Sequence, residues 1–582
     1  MQSCLIFSSN KDDWPKEYKH IYQGYWCLEN IENSFRTLSK YNVVENIEHD
    51  ETSVDDTIHQ ITNVYNSIIK DLVKELNKKH NENKSTRYWE IIIGPWLKSF
   101  LGIVHNRYYS VAEAIKLNEI SCFVNESKDD FIISENDVCC NSHNQIIFEE
   151  WNLALYGNIV DFLKTNEKIV KINTDKKLKS KKKNFNLFIK LKETLSYFLS
   201  LFLKEKSVVL YNLPLKKIDL ILTQLKFYQV PQFFISRDIP LIKSNKSLRN
   251  ELNFDKLNTD KFERFVRKIL PSFLPTNYLE NYKNIKNISK TKPLPKNPSI
   301  IFCCTSFFDD EIFKFWVADK VERRIQYYVM QHGCGYFTSK NASIQTDLDT
   351  SDKFLSWGDF KKQGIIPFYN TNNLLHKEKN DFKKKSKIFF YAPAMYSGQR
   401  KRPYNDYMFM IDDHFRMRNI IHNLKRGFNE NLIVKLYNYD DLFLRKKILK
   451  EILNLNNSIK ITDNINKDEI YRQSKLIVHA NDGTGFLETL SLNIPSIFSI
   501  PNLNWVTKES KKDYEELLNA NILFFDPIKA ANHINFHFDN IENWWEDSKV
   551  IKVKNNFVNK YSRPLKKNYL KHFQRIIADG VK

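Results

Sequence analysis

Ser474 to Ser499 constrains this chain most. Lys475-Leu-Ile-Val-His479 is an apolar run of strand length, and Ala480-Asn-Asp-Gly-Thr-Gly485 is a small polar turn. Phe486 to Leu492 has helical spacing, Asn493-Ile-Pro495 stops it, and Ser496 to Ser499 begins a second apolar strand. The pattern predicts strand, glycine loop, helix, strand: one βαβ unit. In such units a ligand sits beyond the carboxyl ends of the strands, where free N–H groups and the positive end of the helix dipole favour phosphate. Gly483 and Gly485 would let the backbone approach closely. Helical spacing puts Phe486, Leu487 and Leu490 on one face and Thr484, Glu488 and Ser491 on the other. Thr484 and Glu488 are then expected at the loop's mouth, where a carboxylate suits a ribose diol. The competing expectation is an ordinary helix with Thr484 as N-cap and Glu488 in solvent.

The rest of the chain has room to build on that unit. Its 582 residues allow two or three domains, and 42% hydrophobic with 14% aromatic content argues for packed cores. No apolar run approaches the roughly 20 residues of a membrane-spanning helix. Met1 to Ser8 is too short for a signal-peptide core and lacks a basic start, so a cytoplasmic protein is expected. The formal charge of +20 suits anionic partners such as nucleotides or phospholipid head groups, although a Lys- and Asn-rich composition supplies much of it. Eight cysteines, with Cys139-Cys140 and Cys303-Cys304 adjacent, show no metal-ligand spacing and read as reduced thiols.

In chain order, Cys4 to Phe7 is a first strand and His20 to Cys27 a mixed aromatic stretch. Thr57 to Leu76 and residues 145 to 163 have helical character. Thr86 to Tyr108 is strongly apolar, and Gly94-Pro95 is expected to split or kink it. Lys164 to Lys183 reads as a basic, solvated insertion that could also touch anionic lipid. Short strands follow at Val208 to Tyr211, Gln232 to Ile235, Ile300 to Cys304, Tyr327 to Met330 and Lys353 to Gly358. The polar stretch Asp359 to Lys385 reads as a linker. A second alternating set has strands at Lys387 to Tyr391, Leu432 to Leu436 and Ile459 to Ile461, with helices near Tyr407 to Leu424 and Leu442 to Leu453. The opening unit follows, then a strand at Ile522 to Phe525 and a helical tail from Trp544 to Ile577. This is α/β patterning in two parts, with helical additions near the start.

Several stretches resemble a bacterial family of transferases for surface-carbohydrate biosynthesis, and the two-part pattern is similar to GT-B glycosyltransferases. The stretches are Gly24 to Cys27, Tyr88 to Leu97, Asn106 to Tyr108, Asp310 to Trp316, Gln331 to Tyr336, Ser351 to Gly358 and Thr484 to Leu490. The resemblance implies two Rossmann-like domains facing a cleft: residues 1–370 on the acceptor side, 386–545 holding a nucleotide sugar, and 546–582 as a helical tail. It implies a site role for His332 at the cleft, as base or as a cation steadying the departing phosphate; the alternative is a His that shapes its turn. It implies that Lys435 points at the donor phosphate, against an edge lysine in solvent. Ser397 and Gly398, with Arg400, Lys401 and Arg402 beside them, would meet the phosphate too, or form a solvated basic loop. Cys334 stands where the family turn has glycine, and it would carry strain if that position needed a positive φ.

Asp347-Leu348-Asp349 fits a D-x-D metal pattern but lies in a polar stretch away from a strand end, and reads as loop. The resemblance implies transfer of a sugar, or sugar-like acid, from a nucleotide donor to a surface-polysaccharide precursor, and without a metal pattern it is expected to be metal- and cofactor-independent. Its partners would be the donor, a glycan or lipid-linked acceptor, and an anionic membrane touched peripherally, with no nucleic acid. A CDP-linked polyol-phosphate transferase and a non-catalytic scaffold of a glycan-assembly complex are the competing readings.

Overall fold

In the computed structural model the described residues are 2–31, 37–44, 50–118, 120–126, 149–163, 170–174, 198, 207–231, 239–240, 242–291, 294–340, 346–374, 381–392, 406–436, 459–462 and 465–581. Their strands form three sheets, and every strand pair is parallel. Parallel strands need crossovers that bury both sheet faces, which is why these strands read as continuous apolar runs.

The second half holds one six-stranded sheet. Its strands are β10 (Lys387–Tyr391), β11 (Leu432–Lys435), β12 (Lys460–Thr462), β13 (Ser474–His479), β14 (Ser496–Ser499) and β15 (Leu523–Phe524). The order β12-β11-β10-β13-β14-β15 runs outward both ways from β10 and β13. That reversal is the topological switch of a doubly wound sheet, and in such sheets ligands bind beyond the carboxyl ends of the strands that flank it, here β10 and β13.

The first half carries two sheets. β1 (Ser3–Ile6), β2 (Lys19–Tyr22), β3 (Ile120–Glu126) and β4 (Val170–Thr174) lie in the order β2-β1-β3-β4. β5 (Val208–Tyr211), β6 (Ile300–Cys303), β7 (Gln326–Met330), β8 (Lys353–Ser356) and β9 (Ile365–Pro367) lie in simple succession. One hydrophobic cluster joins residues of both sheets to the helices Glu51–His80 and Thr86–Leu117. The first helix starts on a capping box between Asp50 and Ser53 and ends on Asn81 in the left-handed region. The second runs through Gly94-Pro95 without a break and is buried along most of its length. Its packing overrides the proline: a Cβ at Gly94 would already lie 3.1 Å from Thr346 and Tyr65, so the small residue buys close approach.

Other expectations change as well. β3 was not foreseen, and its partner β4 lies inside the basic stretch read as an insertion, where Val170–Thr174 pairs in register with Cys122–Glu126. The presumed linker contains β9, paired to β8. The Asp347 segment is one turn of helix, Asp347–Thr350, rather than loop. The tail is helical but divided. Its helix Ser548–Tyr561 packs on the second half, and its helix Tyr569–Val581 returns to the first, where Phe573 and Ile577 bury against Ile300 and Phe302. The strand expected at Gln232 to Ile235 and the helix expected at Leu442 to Leu453 lie outside the described residues. Among the described residues no helix is long and apolar enough to cross a membrane.

The returning tail crosses the chain at Trp357-Gly358. Arg563 N–H donates to Trp357 O at 2.7 Å, Asp359 N–H to Asn559 O at 3.2 Å, and Asn370 N–H to Arg563 O at 3.0 Å. A Cβ on Gly358 would fall 1.6 Å from the Lys560 carbonyl oxygen. Neither backbone can yield without breaking these bonds. Gly358→Ala is therefore expected to cost at least ~3 kcal/mol, seen as a lower urea midpoint, whereas Gly427→Ala, with open space around it, should be near neutral.

Candidate active site between the two sheets

The turn after β7 and the loop after β13 both leave carboxyl strand ends, and they meet. Cys334 N–H donates to Thr484 Oγ1 at 3.1 Å. Around this contact the halves are joined by backbone. Lys340 N–H donates to Trp505 O at 2.8 Å and Thr507 N–H to Thr338 O at 2.9 Å, with an antiparallel bridge between Ser339 and Val506. Thr507 Oγ1 adds a 2.8 Å bond to Phe337 O.

The His332 turn is fixed from within. Gln331 donates to Gly333 O at 2.8 Å and accepts from Trp357 N–H at 2.7 Å. Its positive φ values fall on Gly335 (86°) and Phe337 (68°), not on Cys334. Cys334 is thus free of the strain its position raised. Phe337 carries the unusual angle instead, stacked on Phe360 at 3.9 Å and bonded through its carbonyl to Thr507.

His332 keeps an exposed edge, yet burial pushes its pKa down to about 4, so the imidazole is neutral near pH 7. Its Nδ1 lies 2.9 Å from Tyr336 Oη, and Tyr336 Oη donates to Asp347 Oδ2 at 2.5 Å. Asp347 is fully buried, and burial raises its pKa to about 6, opposed by the Tyr336 bond and backbone N–H groups of its own turn. The other carboxylate of the D-x-D, Asp349, faces Lys98 at 2.8 Å. The two carboxylates therefore serve different partners, and among the described residues no group of three His, Cys, Asp or Glu is gathered to hold a metal ion.

On the other side of the contact, Gly483 precedes the helix Thr484–Ser491 as its N-cap, with no side-chain cap. Asn481 Oδ1 accepts from Gly483 N–H at 3.1 Å, and a Cβ on Gly483 would sit 2.9 Å from that oxygen. Gly485 lies against the His479 ring, where a Cβ would come to 3.3 Å. Thr484 is not the cap; its hydroxyl receives the His332 turn. Lys435 is the last residue of β11, half-buried and in register with Tyr391 and Thr462 at the same carboxyl edge. Ser397 and Gly398, with Arg400, Lys401 and Arg402, lie outside the described residues.

Glu488 does not stand at the loop's mouth. It is buried, one carboxylate oxygen accepting from Asn372 Nδ2 at 3.0 Å and the other from Tyr471 Oη at 2.7 Å, with Lys467 Nζ also at 3.0 Å. Glu488 thus turns onto Asn372 and onto the helix Lys467–Gln473 that leads into β13. Two features escaped the sequence reading. Asp347 was passed over with its D-x-D. Asp413, on the helix Asp406–His422, reaches the glycine loop: Asn481 Nδ2 donates to it at 3.2 Å and Arg416 pairs with it. Burial raises the Asp413 pKa to about 7, with Arg416 opposing. An acid followed by Arg at i+3 was the available signal.

Residues 3–577 match the family model of the LIC12162 family transferase. No curated protein matches the chain significantly. Among solved structures it is similar to the Methanocaldococcus jannaschii UDP-GlcNAc 2-epimerase in complex with UDP-GlcNAc and UDP (13% identity, 65% of this chain, 100% of that one, TM-score 0.36). It is similar also to the Neisseria meningitidis UDP-GlcNAc 2-epimerase bound to UDP-GlcNAc (10% identity, 56% and 83%, TM-score 0.30). A third is the pneumococcal O-GlcNAc transferase GtfA in complex with UDP and GlcNAc (14% identity, 51% and 60%, TM-score 0.30).

Two outcomes follow from the geometry. Glu488→Gln loses charge-assisted bonds from Tyr471 and Asn372, so stability should fall by about 1–3 kcal/mol in urea unfolding. His479 is buried with Nε2 3.1 Å from Thr489 Oγ1, and burial lowers its pKa to about 3. Between pH 6.5 and about 3 only the unfolded chain protonates this ring. Its contribution is complete above pH 6.5 and drains away with acid. The stability difference between wild type and His479→Gln should therefore shrink as pH falls through that window.

Proposed function

The chain belongs to the LIC12162 family of transferases, and on that premise we propose that it moves a sugar, or sugar-like acid, from a nucleotide-activated donor to a surface-polysaccharide precursor. The single observation that carries this reading is the bond from Cys334 N–H to Thr484 Oγ1. It sets an ionisable His332 turn against the first turn of the helix that follows a glycine loop at a topological switch point. A glycine loop and helix N-terminus suit a diphosphate, and a neutral imidazole beside them suits an acceptor hydroxyl.

In this reading the donor nucleotide lies beyond the carboxyl ends of β10, β11 and β13. Gly483 and Gly485 give its phosphates close approach, and Thr484 lies beside them. Lys435 faces the leaving phosphate from the end of β11, so that charge developing there meets a cation already in place. His332 takes the acceptor's proton from the first half. The ribose role assigned to Glu488 is dropped, because that carboxylate holds Asn372 and Tyr471. The acceptor is a glycan or lipid-linked precursor, and a net charge of +20 suits an enzyme working against an anionic membrane surface.

Thermal-shift screening of the purified chain against nucleotides and nucleotide sugars tests the reading. Ligand at 100 times its Kd stabilises by about 2.7 kcal/mol. No shift with any nucleotide at millimolar concentration overturns it, and a phosphodiester in the product assigns the chain to polyol-phosphate transfer instead. His332→Gln should bind the nucleotide as wild type does while turnover falls about 10²- to 10⁴-fold.

A further inference from the structure

Asp347, Tyr336 and His332 form a hydrogen-bonded line from the buried core to the interface. Tyr336 has one hydroxyl proton. With Asp347 ionised, that proton lies in the 2.5 Å bond to its Oδ2. Tyr336 Oη can then only accept from His332, 2.9 Å away, so the proton in that bond belongs to His332 Nδ1. A neutral imidazole protonated on Nδ1 has a bare lone pair on Nε2. The ring is held at a fixed angle as well: it lies edge-to-face with Tyr336 at 5.5 Å and tilted against Phe307 at 6.1 Å. Tyr336 is itself buried and packed on Phe354 at 4.9 Å. The helical turn Asp347–Thr350 holds the carboxylate, and Gly94 leaves room for Thr346 beside it.

We infer that Asp347 and Tyr336 are positioning residues that hold His332 as its Nδ1–H tautomer, leaving Nε2 to take the proton of the acceptor hydroxyl. This rests on the transferase reading for the identity of the hydroxyl, but not for the tautomer. In the step, the acceptor O–H proton passes to Nε2 and the oxygen bonds to the sugar's anomeric carbon. The bond from that carbon to the phosphate oxygen breaks, with its electron pair staying on the nucleotide. The imidazolium so formed faces Tyr336 Oη, whose own proton remains on the side of the Asp347 carboxylate, so Asp347 stabilises the new charge without accepting a proton.

The test is long-range ¹H–¹⁵N correlation of the histidine rings in the full-length protein at pH 7.5, with the His332 signals identified by their loss in His332→Gln. Wild type should show Nδ1 protonated and Nε2 bare, with no ligand added. Tyr336→Phe removes the acceptor and keeps the ring, so the population should move to the Nε2–H tautomer, which free imidazole side chains prefer. Asp347→Asn should move it in the same direction, and Asp347→Glu should restore part of the wild-type state. Thermal unfolding checks that each variant is folded; should Asp347→Asn fail to fold, the wild-type spectrum and Tyr336→Phe decide alone. An Nε2–H tautomer in wild type, or an unchanged tautomer in folded Tyr336→Phe, overturns the inference. Neither result depends on nucleotide binding, so failure here and failure of the transferase reading are separate outcomes. With donor and acceptor in hand, Tyr336→Phe should lower kcat about 10- to 100-fold and leave the donor's thermal shift unchanged.

Discussion

Backbone pairing between residues 338–340 of the first half and 505–507 of the second is the contact on which the site depends. Side-chain contacts between two halves can slide, because rotamers adjust. Backbone bonds of 2.8 and 2.9 Å fix the register of one chain against the other. Residues 331–336 lie a few positions before this pairing, so their distance from the glycine loop follows from it. The tail adds a second tie. Ser562, fully buried, accepts from Asn370 and donates to the Leu487 carbonyl, linking the chain before β10 to the helix after β13. A site assembled from two halves needs such ties, since a misplacement of about 1 Å is costly in chemistry that relies on aligned groups.

The stretches that carry the family resemblance divide by physical role. Tyr88 to Leu97 is core: Trp89 is fully buried and donates to Asn77, and Tyr88 bonds Tyr282 at 2.9 Å. Asp310 to Trp316 is a helix start, with Asp310 capping Phe313 N–H at 2.8 Å and accepting from Tyr211 at 2.5 Å. Ser351 to Gly358 receives the crossing tail. Gln331 to Tyr336 and Thr484 to Leu490 meet each other at the interface. A shared motif therefore marks a demanding position, whether the demand is packing, capping or chemistry.

Buried charge tells these roles apart. Glu311 and Lys314 form a fully buried pair bonded to Tyr278, in which each charge has an opposite charge and a hydroxyl beside it. Glu488 is likewise neutralised by Lys467 and bonded by two neutral groups. Desolvation of such ions is repaid locally, and their function is to hold elements in register. Asp347 differs. Its side-chain hydrogen bond is to Tyr336, a neutral group that passes the interaction on to a partly buried imidazole at the interface. Held also by backbone N–H groups of its own turn, this carboxylate fixes the direction of the Tyr336 hydroxyl.

The sequence by itself determined the local elements whose own residues settle them. β10 and β14 fall where the apolar runs put them, and the strand, loop and helix from Ser474 to Ser491 follow from an apolar run, small polar residues and helical spacing. What it could not determine were features that depend on a distant partner. Pro95 stays in an unbroken helix because packing on both sides holds it there. Val170 to Thr174 is a strand only because β3 stands beside it. A helical wheel shows that Glu488 faces away from Leu487, but not whether crevice or protein lies on that side. Asp347 sits eleven residues from Tyr336, and only the fold brings its carboxylate under that hydroxyl. Periodicity encodes which way a side chain turns; tertiary structure alone decides what it meets.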